Sequence, residues 1–147
     1  MSVDTLLPPA TTTGAASLDR LLRPRSVAIV GASEKPGALG NSVLSNLVRN
    51  GFAGEIHLIN PKRAEIEGRP CLPSVAALPD NVDCAVLAIP RAAVLETIWS
   101  LAERGVGSAI IFSAGFAEGG EEGLAEQRAI GRIAAASGMV IEGPNCL

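Results

Sequence analysis

The sequence predicts an α/β protein, a doubly wound parallel sheet of about five strands with helices on both faces. Three observations predict it. Short apolar runs alternate with longer segments of helical periodicity along the whole chain. Such alternation implies βαβ units joined by right-handed crossovers. The apolar runs are continuous rather than every second residue, as in Asp83–Ile89 (DCAVLAI). A continuous run suits a strand covered on both faces. Each run also ends in glycine, proline or small polar residues, which close strands and open turns. Together these give a sheet of parallel strands with helices packed on both faces.

The elements follow in order. Residues 1–17 are rich in Thr, Ala and Pro, with Pro8-Pro9 and Thr11–Thr13, and are expected to be a disordered lead. The domain is expected over 18–147. Leu18–Leu22 reads as one helical turn, stopped before Pro24. Ser26–Val30 is the first strand. Gly40–Asn50 is a helix with Val43, Leu44, Leu47 and Val48 on one side, closed by Gly51. Glu55–Asn60 is the second strand. Pro70, Pro73 and Pro79 leave room for only a short helical turn near Val75–Leu78. Asp83–Ile89 is the third strand, ended by Pro90. Arg91–Arg104 carries a stripe of Val94, Leu95, Ile98, Leu101 and Ala102 and ends at Gly105. Ser108–Phe112 is the fourth strand. Glu121–Ser137 is a helix whose acidic start complements its dipole, and Gly138 stops it. Met139–Glu142 is the fifth strand.

Bulk properties exclude several classes. The chain has 147 residues, a net charge of −3 and 3% aromatic residues, so neither a basic footprint nor a stacking platform for nucleic acid is present. Cys71, Cys84 and Cys146 are odd in number and contain no C-x-x-C pair. That argues against a disulfide framework or a zinc site and for a reducing compartment. No apolar run approaches a bilayer span, and no secretory signal pattern is visible. The expected location is cytoplasmic, with no membrane and no nucleic-acid partner.

In a parallel sheet the carboxyl ends of the strands lie along one edge, where ligands bind. Here they carry Gly31-Ala32-Ser33, Asn60-Pro61-Lys62, Pro90-Arg91, Ser113-Ala114-Gly115-Phe116 and Gly143-Pro144-Asn145. The first exit is a strand, a glycine loop and a helix start, the arrangement in which backbone N–H groups and the helix dipole face an anion. Its glycines, Gly31, Gly37 and Gly40, are spaced G-x5-G-x2-G. That is neither the dinucleotide fingerprint nor a P-loop. The loop points to a phosphate-bearing ligand without identifying it. A nicotinamide reader usually places a carboxylate after its second strand. Asn60 and Lys62 stand there instead, which leans towards a phosphorylated ribose, as in NADP or coenzyme A.

The motifs RPRSVAIVGAS (23–33), PGALG (36–40), INPK (59–62), AIP (88–90), SAGFAE (113–118) and GPNCL (143–147) resemble the CoA-binding domain of NDP-forming (ADP-forming) acyl-CoA synthetases. The α subunit of succinyl-CoA synthetase is a more distant relative, and related domains occur in some protein lysine acetyltransferases. The likeness runs in order from Leu18 to the end. It implies a Rossmann-type domain that holds CoA or acyl-CoA at the strand ends. Gly31, Ala32 and Ser33 would meet the phosphates, within a loop completed by Lys35, Pro36, Gly37 and Gly40. Lys62, beside Asn60 and Pro61, would sit near the adenosine phosphates. Ile89, Pro90, Arg91, Ser113, Ala114 and Gly115 would line the path of the nucleotide and the pantetheine arm. Asn145 would lie near the thiol.

In that family a histidine in a following flavodoxin-like domain carries a phosphoryl group, and an ATP-grasp domain exchanges it with ATP/ADP and Mg. The single histidine here, His57, lies within the second strand and does not match that position. The resemblance therefore implies no catalytic residue and no metal ligand in this chain, which is expected to be inactive alone and to work with further synthetase domains or subunits. The chain stops inside a family motif and is expected to be a truncated or fragmentary form of a longer synthetase, with an independent CoA-binding subunit as the alternative. Glu118, Glu121 and Glu122 read as a solvated helix start, and Cys146 as a structural thiol. Two other readings stay open: a CoA- or acyl-CoA-sensing regulatory domain of a protein acetyltransferase, and an NAD(P)-binding oxidoreductase or sensor domain.

Overall fold

Four consecutive apolar residues, Val27 to Val30, are buried, and that places β1 (Ser26–Val30) in the middle of the sheet. The computed structural model describes residues 15–146. On one side of β1 lies β2 (Glu55–Ile59), and on the other β5 (Cys84–Leu87), β6 (Ser108–Ile111) and β7 (Val140–Glu142), all parallel. Beyond β2 come β4 (Arg69–Leu72), parallel to it, and β3 (Glu65–Ile66), antiparallel to β4. The order is β3-β4-β2-β1-β5-β6-β7.

The sheet thus has seven strands, not about five, although the doubly wound α/β class is as expected. The two additional strands are short, and β4 carries Pro70. Proline is tolerated there because this hairpin forms the rim of the sheet. The hairpin turns through Glu67 and Gly68, both at positive φ. No apolar run marks it, so the sequence pattern passed over it.

The helices are α1 (Ala15–Leu22), α2 (Leu39–Arg49), α3 (Val94–Glu103) and α4 (Glu121–Ser137). α3 and α4 cover the face formed by Ala28, Val30, Ala85, Leu87, Ala109 and Ile111. α2 covers Ile29, Leu58 and Val86 on the opposite face through Leu44 and Leu47. The segment after Pro90 opens as a 3-10 turn over Arg91–Ala93 before α3 begins. The short turn foreseen near Val75–Leu78 is a 3-10 turn over Val75–Ala77.

α1 is longer than one turn and includes Ala15–Ser17, which composition assigned to the lead. The remainder of the expected lead falls outside the described residues. Long-range contacts hold the helix against the sheet. Arg20 donates through Nε to Asp83 Oδ1 at 2.9 Å and through Nη2 to the carbonyls of Val82 and Gly105 at 2.8 and 3.1 Å. Local propensity contains no trace of partners more than 60 residues away.

Candidate functional site

The carboxyl ends of β1, β2, β5, β6 and β7 are laced to one another. At the β1 exit, Gly31 adopts φ +88°, a conformation that disfavours any residue with a Cβ. A Cβ there would stand 2.2 Å from the Ala88 carbonyl oxygen, and one on Gly40 would stand 2.1 Å from the Gly31 carbonyl oxygen. The glycines let the β5 exit and the start of α2 close onto the β1 turn. The Gly31 and Ala32 N–H groups both donate to the Ile59 carbonyl at 3.2 Å. These two amides are engaged within the sheet. Open donors lie further along, where α2 begins at Leu39 after Ala38 with no side-chain cap. The first N–H groups of a helix lack intrahelical acceptors and carry roughly half a positive charge together.

The β2 exit is fixed by Asn60. Its Nδ2 donates to the Ala32 carbonyl at 2.9 Å, and its Oδ1 accepts the Lys62 N–H at 2.8 Å. One amide side chain thus braces two loops. Ser33 does similar work within the glycine loop, its Oγ accepting the Lys35 N–H at 3.0 Å. Lys35 and Lys62 are both exposed, and among the described residues neither ammonium has a carboxylate partner. Nearby, Arg63 pairs with Glu34 at 3.5 Å, and Glu34 Oε1 accepts the Glu67 N–H at 3.4 Å. Asn41 Nδ2 donates to Glu67 Oε1 at 3.3 Å.

The remaining exits follow the same pattern. The Ala88 N–H donates to the Val30 carbonyl at 2.8 Å. Ser113 Oγ donates to the Ile89 carbonyl at 2.6 Å, the Asn145 N–H donates to the Ser113 carbonyl at 3.0 Å, and Cys146 Sγ–H to the Ile111 carbonyl at 3.1 Å. Burial, then the charge of Glu142, pushes the Cys146 thiol above its ordinary pKa. That keeps it protonated, in line with a structural thiol.

Arg91 is committed differently from Lys35 and Lys62. Its Nε and Nη2 donate to Glu126 at 3.1 and 2.7 Å, Glu122 lies 3.7 Å away, and its guanidinium stands 5.9 Å over the Phe116 ring. The Gly115 N–H donates to Glu118 Oε1 at 2.6 Å and holds that carboxyl below its usual range. Glu118 is thus a loop brace, not a free acid of a helix start.

Of the residues singled out in the sequence, Ala32 and Gly40 are buried, and Gly31, Ser33, Asn60, Ile89, Arg91, Ser113 and Gly115 are half-buried. Lys35, Pro36, Gly37, Pro61, Lys62, Pro90, Ala114 and Asn145 are exposed. All lie on the carboxyl side of the sheet. Glu34, Arg63, Glu67 and Glu126 were not foreseen. Arg63 was signalled by its place next to Lys62, whereas the 35 residues between Arg91 and Glu126 left no signal for that pair. His57 lies in β2, with Nε2 3.3 Å from Glu55 Oε2. Among the described residues no group of His, Cys, Asp and Glu is arranged to hold a metal ion. No helix among them is long and apolar enough to cross a membrane.

A family described as a CoA binding domain matches residues 25–147. A trans-feruloyl-CoA synthase from an unknown prokaryotic organism is 56% identical over 130 residues, covering 88% of this chain and 18% of that protein. The α subunit of acetate–CoA ligase (ADP-forming) II from Pyrococcus furiosus is 38% identical over 88% of this chain and 28% of its own length. Among solved structures, the dinucleotide-forming acetyl-coenzyme A synthetase 1 of Ca. Korarchaeum cryptofilum, in complex with phosphate and ADP, superposes with a TM-score of 0.80 at 39% identity, over 87% of this chain and 27% of that one. The chain therefore spans less than a third of the length of these relatives.

Proposed function

From its membership of the CoA-binding domain family, we propose that this chain holds coenzyme A, or its acyl thioester, along the carboxyl edge of its sheet, as the CoA-binding module of an ADP-forming acyl-CoA synthetase. The observation that carries the reading is the pairing, at one edge, of an uncapped helix start with two exposed lysines that, among the described residues, lack carboxylate partners. An anion fits such a site, and a ligand with several phosphates fits it best. The start of α2 receives the pyrophosphate. Lys62, placed by the Asn60 brace, faces the phosphorylated ribose. Ile89, Pro90 and the Ser113–Gly115 loop guide the pantetheine arm towards Asn145.

The acid-activation chemistry belongs to other domains or subunits in this proposal. A phosphohistidine there carries the phosphoryl group, and an ATP-grasp domain supplies ATP/ADP and Mg. The single histidine of this chain, His57, sits within β2 beside Glu55, away from the strand exits. The relatives named are CoA ligases and synthases, which favours this reading over an acetyltransferase's sensing domain or an NAD(P) oxidoreductase. A cytoplasmic location is part of the same proposal.

Calorimetric titration of the purified chain with CoA, dephospho-CoA and NAD tests it. CoA should bind more tightly than dephospho-CoA, and NAD should bind weakly or not at all. NAD binding without CoA binding would overturn the reading. Acid:CoA ligation by the isolated chain would overturn its second half.

A further inference from the structure

Arg63 lies one residue beyond Lys62, at the place where nucleotide-binding sheets of this type read the adenosine ribose and where an arginine accommodates an added phosphate. Its present partner is Glu34, at 3.5 Å, with side chains 60% and 42% exposed. A pair so long and so wet is among the weakest ion pairs in proteins. Glu34 belongs to the glycine loop itself, where a bare carboxylate would repel an incoming phosphate. The loop keeps it: Glu34 Oε1 accepts the Glu67 N–H, and Asn41, at the start of α2, holds Glu67. Glu34 thus has a second contact besides Arg63, at 3.4 Å and exposed, whereas among the described residues Arg63 has this pair alone. The main chain beneath Arg63 is fixed by the Asn60–Lys62 hydrogen bond, so the guanidinium swings on a firm base.

Resting on the CoA reading above, we propose that Arg63 is a second reader of the ribose 3′-phosphate, and that Glu34 masks it until that phosphate displaces the carboxylate. A phosphate dianion offers the planar guanidinium two parallel charge-assisted hydrogen bonds, a stronger partner than the Glu34 pair. The exchange selects ligands built on 3′-phospho-ADP against those with an unmodified ribose. Arg63 is a specificity-determining residue and Glu34 its competitor.

The test is a titration of CoA and dephospho-CoA into the full chain and into its Arg63→Ala, Glu34→Gln and doubly substituted forms, with thermal unfolding of each as a folding control. Both side chains are exposed, so the variants should unfold with the parent. Arg63→Ala should weaken CoA about tenfold and leave dephospho-CoA unchanged, in the range of lost charge-assisted contacts. Glu34→Gln should tighten CoA several-fold, and that gain should vanish in the double variant, because coupled residues are not additive. If Arg63→Ala leaves the CoA to dephospho-CoA ratio intact, or weakens both ligands equally, Arg63 does not read the 3′-phosphate. If the parent chain binds both ligands equally, CoA binding stands and this proposal falls. If it binds neither, the functional reading itself fails.

Discussion

The two edges of one sheet use charge in opposite ways. At the amino edge Asp83 is buried and surrounded by donors. Arg20 Nε reaches it at 2.9 Å and the Arg25 N–H at 2.8 Å, with the Arg25 guanidinium 3.6 Å away. The backbone of Asp83 is held as well, its N–H donating to Ser26 Oγ at 3.0 Å and its carbonyl accepting Ser108 Oγ–H at 2.7 Å. A cleft of about 620 Å³ opens beside it, lined by Pro24, Arg25, Phe52 and Glu55 among others, yet its buried charge already has its partners. At the carboxyl edge the main chain is equally well tied, through Asn60, Ser113 and Asn145, but Lys35 and Lys62 face solvent with no carboxylate partner among the described residues. One edge uses its charges to hold α1 and the strands together, and the other leaves two lysines unpaired among the described residues, which in our proposal is where the ligand binds.

Substitutions can break this contrast or sharpen it. The largest effect is expected at the point where folding and binding meet. Gly31→Ala puts a Cβ 2.2 Å from the Ala88 oxygen at a φ of +88°. It should cost about 3–5 kcal/mol of stability, from backbone strain plus overpacking, and should abolish CoA binding by displacing the loop. Denaturant unfolding and calorimetry would measure the two losses.

Asp83→Ala should separate the edges. Removing it orphans donors from α1 and from the segment between α1 and β1, at about 3 kcal/mol of stability, while the folded protein binds CoA as before. A changed CoA affinity in the folded variant would break the contrast. The pH dependence has a defined sign. Burial alone would raise the Asp83 pKa, but the Arg25 N–H, the Arg20 hydrogen bond and both guanidinium charges outweigh it and hold the carboxyl below its ordinary value of 3.8. A depressed carboxyl contributes stability that is present above the unfolded pKa and lost as pH falls through the folded one. Unfolding midpoints should therefore decline below about pH 4, and Asp83→Ala should flatten that part of the curve.

Lys62→Ala is the mirror case. It should lower CoA affinity by about 1–3 kcal/mol, as for a charge-assisted contact, with dephospho-CoA and the unfolding midpoint little changed. The smallest effect is expected for Arg91→Ala. Its guanidinium is engaged by Glu126, so the unfolding midpoint should fall only slightly, as for a solvent-screened pair. A clear loss of CoA affinity with the midpoint unchanged would show that Arg91 turns from Glu126 to the ligand.

The central strands were legible in the sequence because continuous apolar runs such as Cys84–Leu87 have one stable place, inside a parallel sheet. α2 and α4 were legible from periodicity and their flanking glycines. The β3–β4 hairpin was not, since two and four residues with a proline give no pattern above a loop. The extent of α1 was not, because Arg20 and Asp83 are 63 residues apart. At the site, the glycines and Lys62 were readable as types in positions. Side-chain partners were not: nothing local signals that Asn60 braces two loops or that α4 holds Arg91.

The most direct measurement is amide hydrogen exchange along the chain with and without CoA. The account predicts added protection over residues 33–41, 60–63, 89–91 and 113–115, and none over residues 24–26, 52–55 and 81–83. Protection confined to the amino edge, or spread evenly over both, would contradict the assignment of the carboxyl edge as the CoA site.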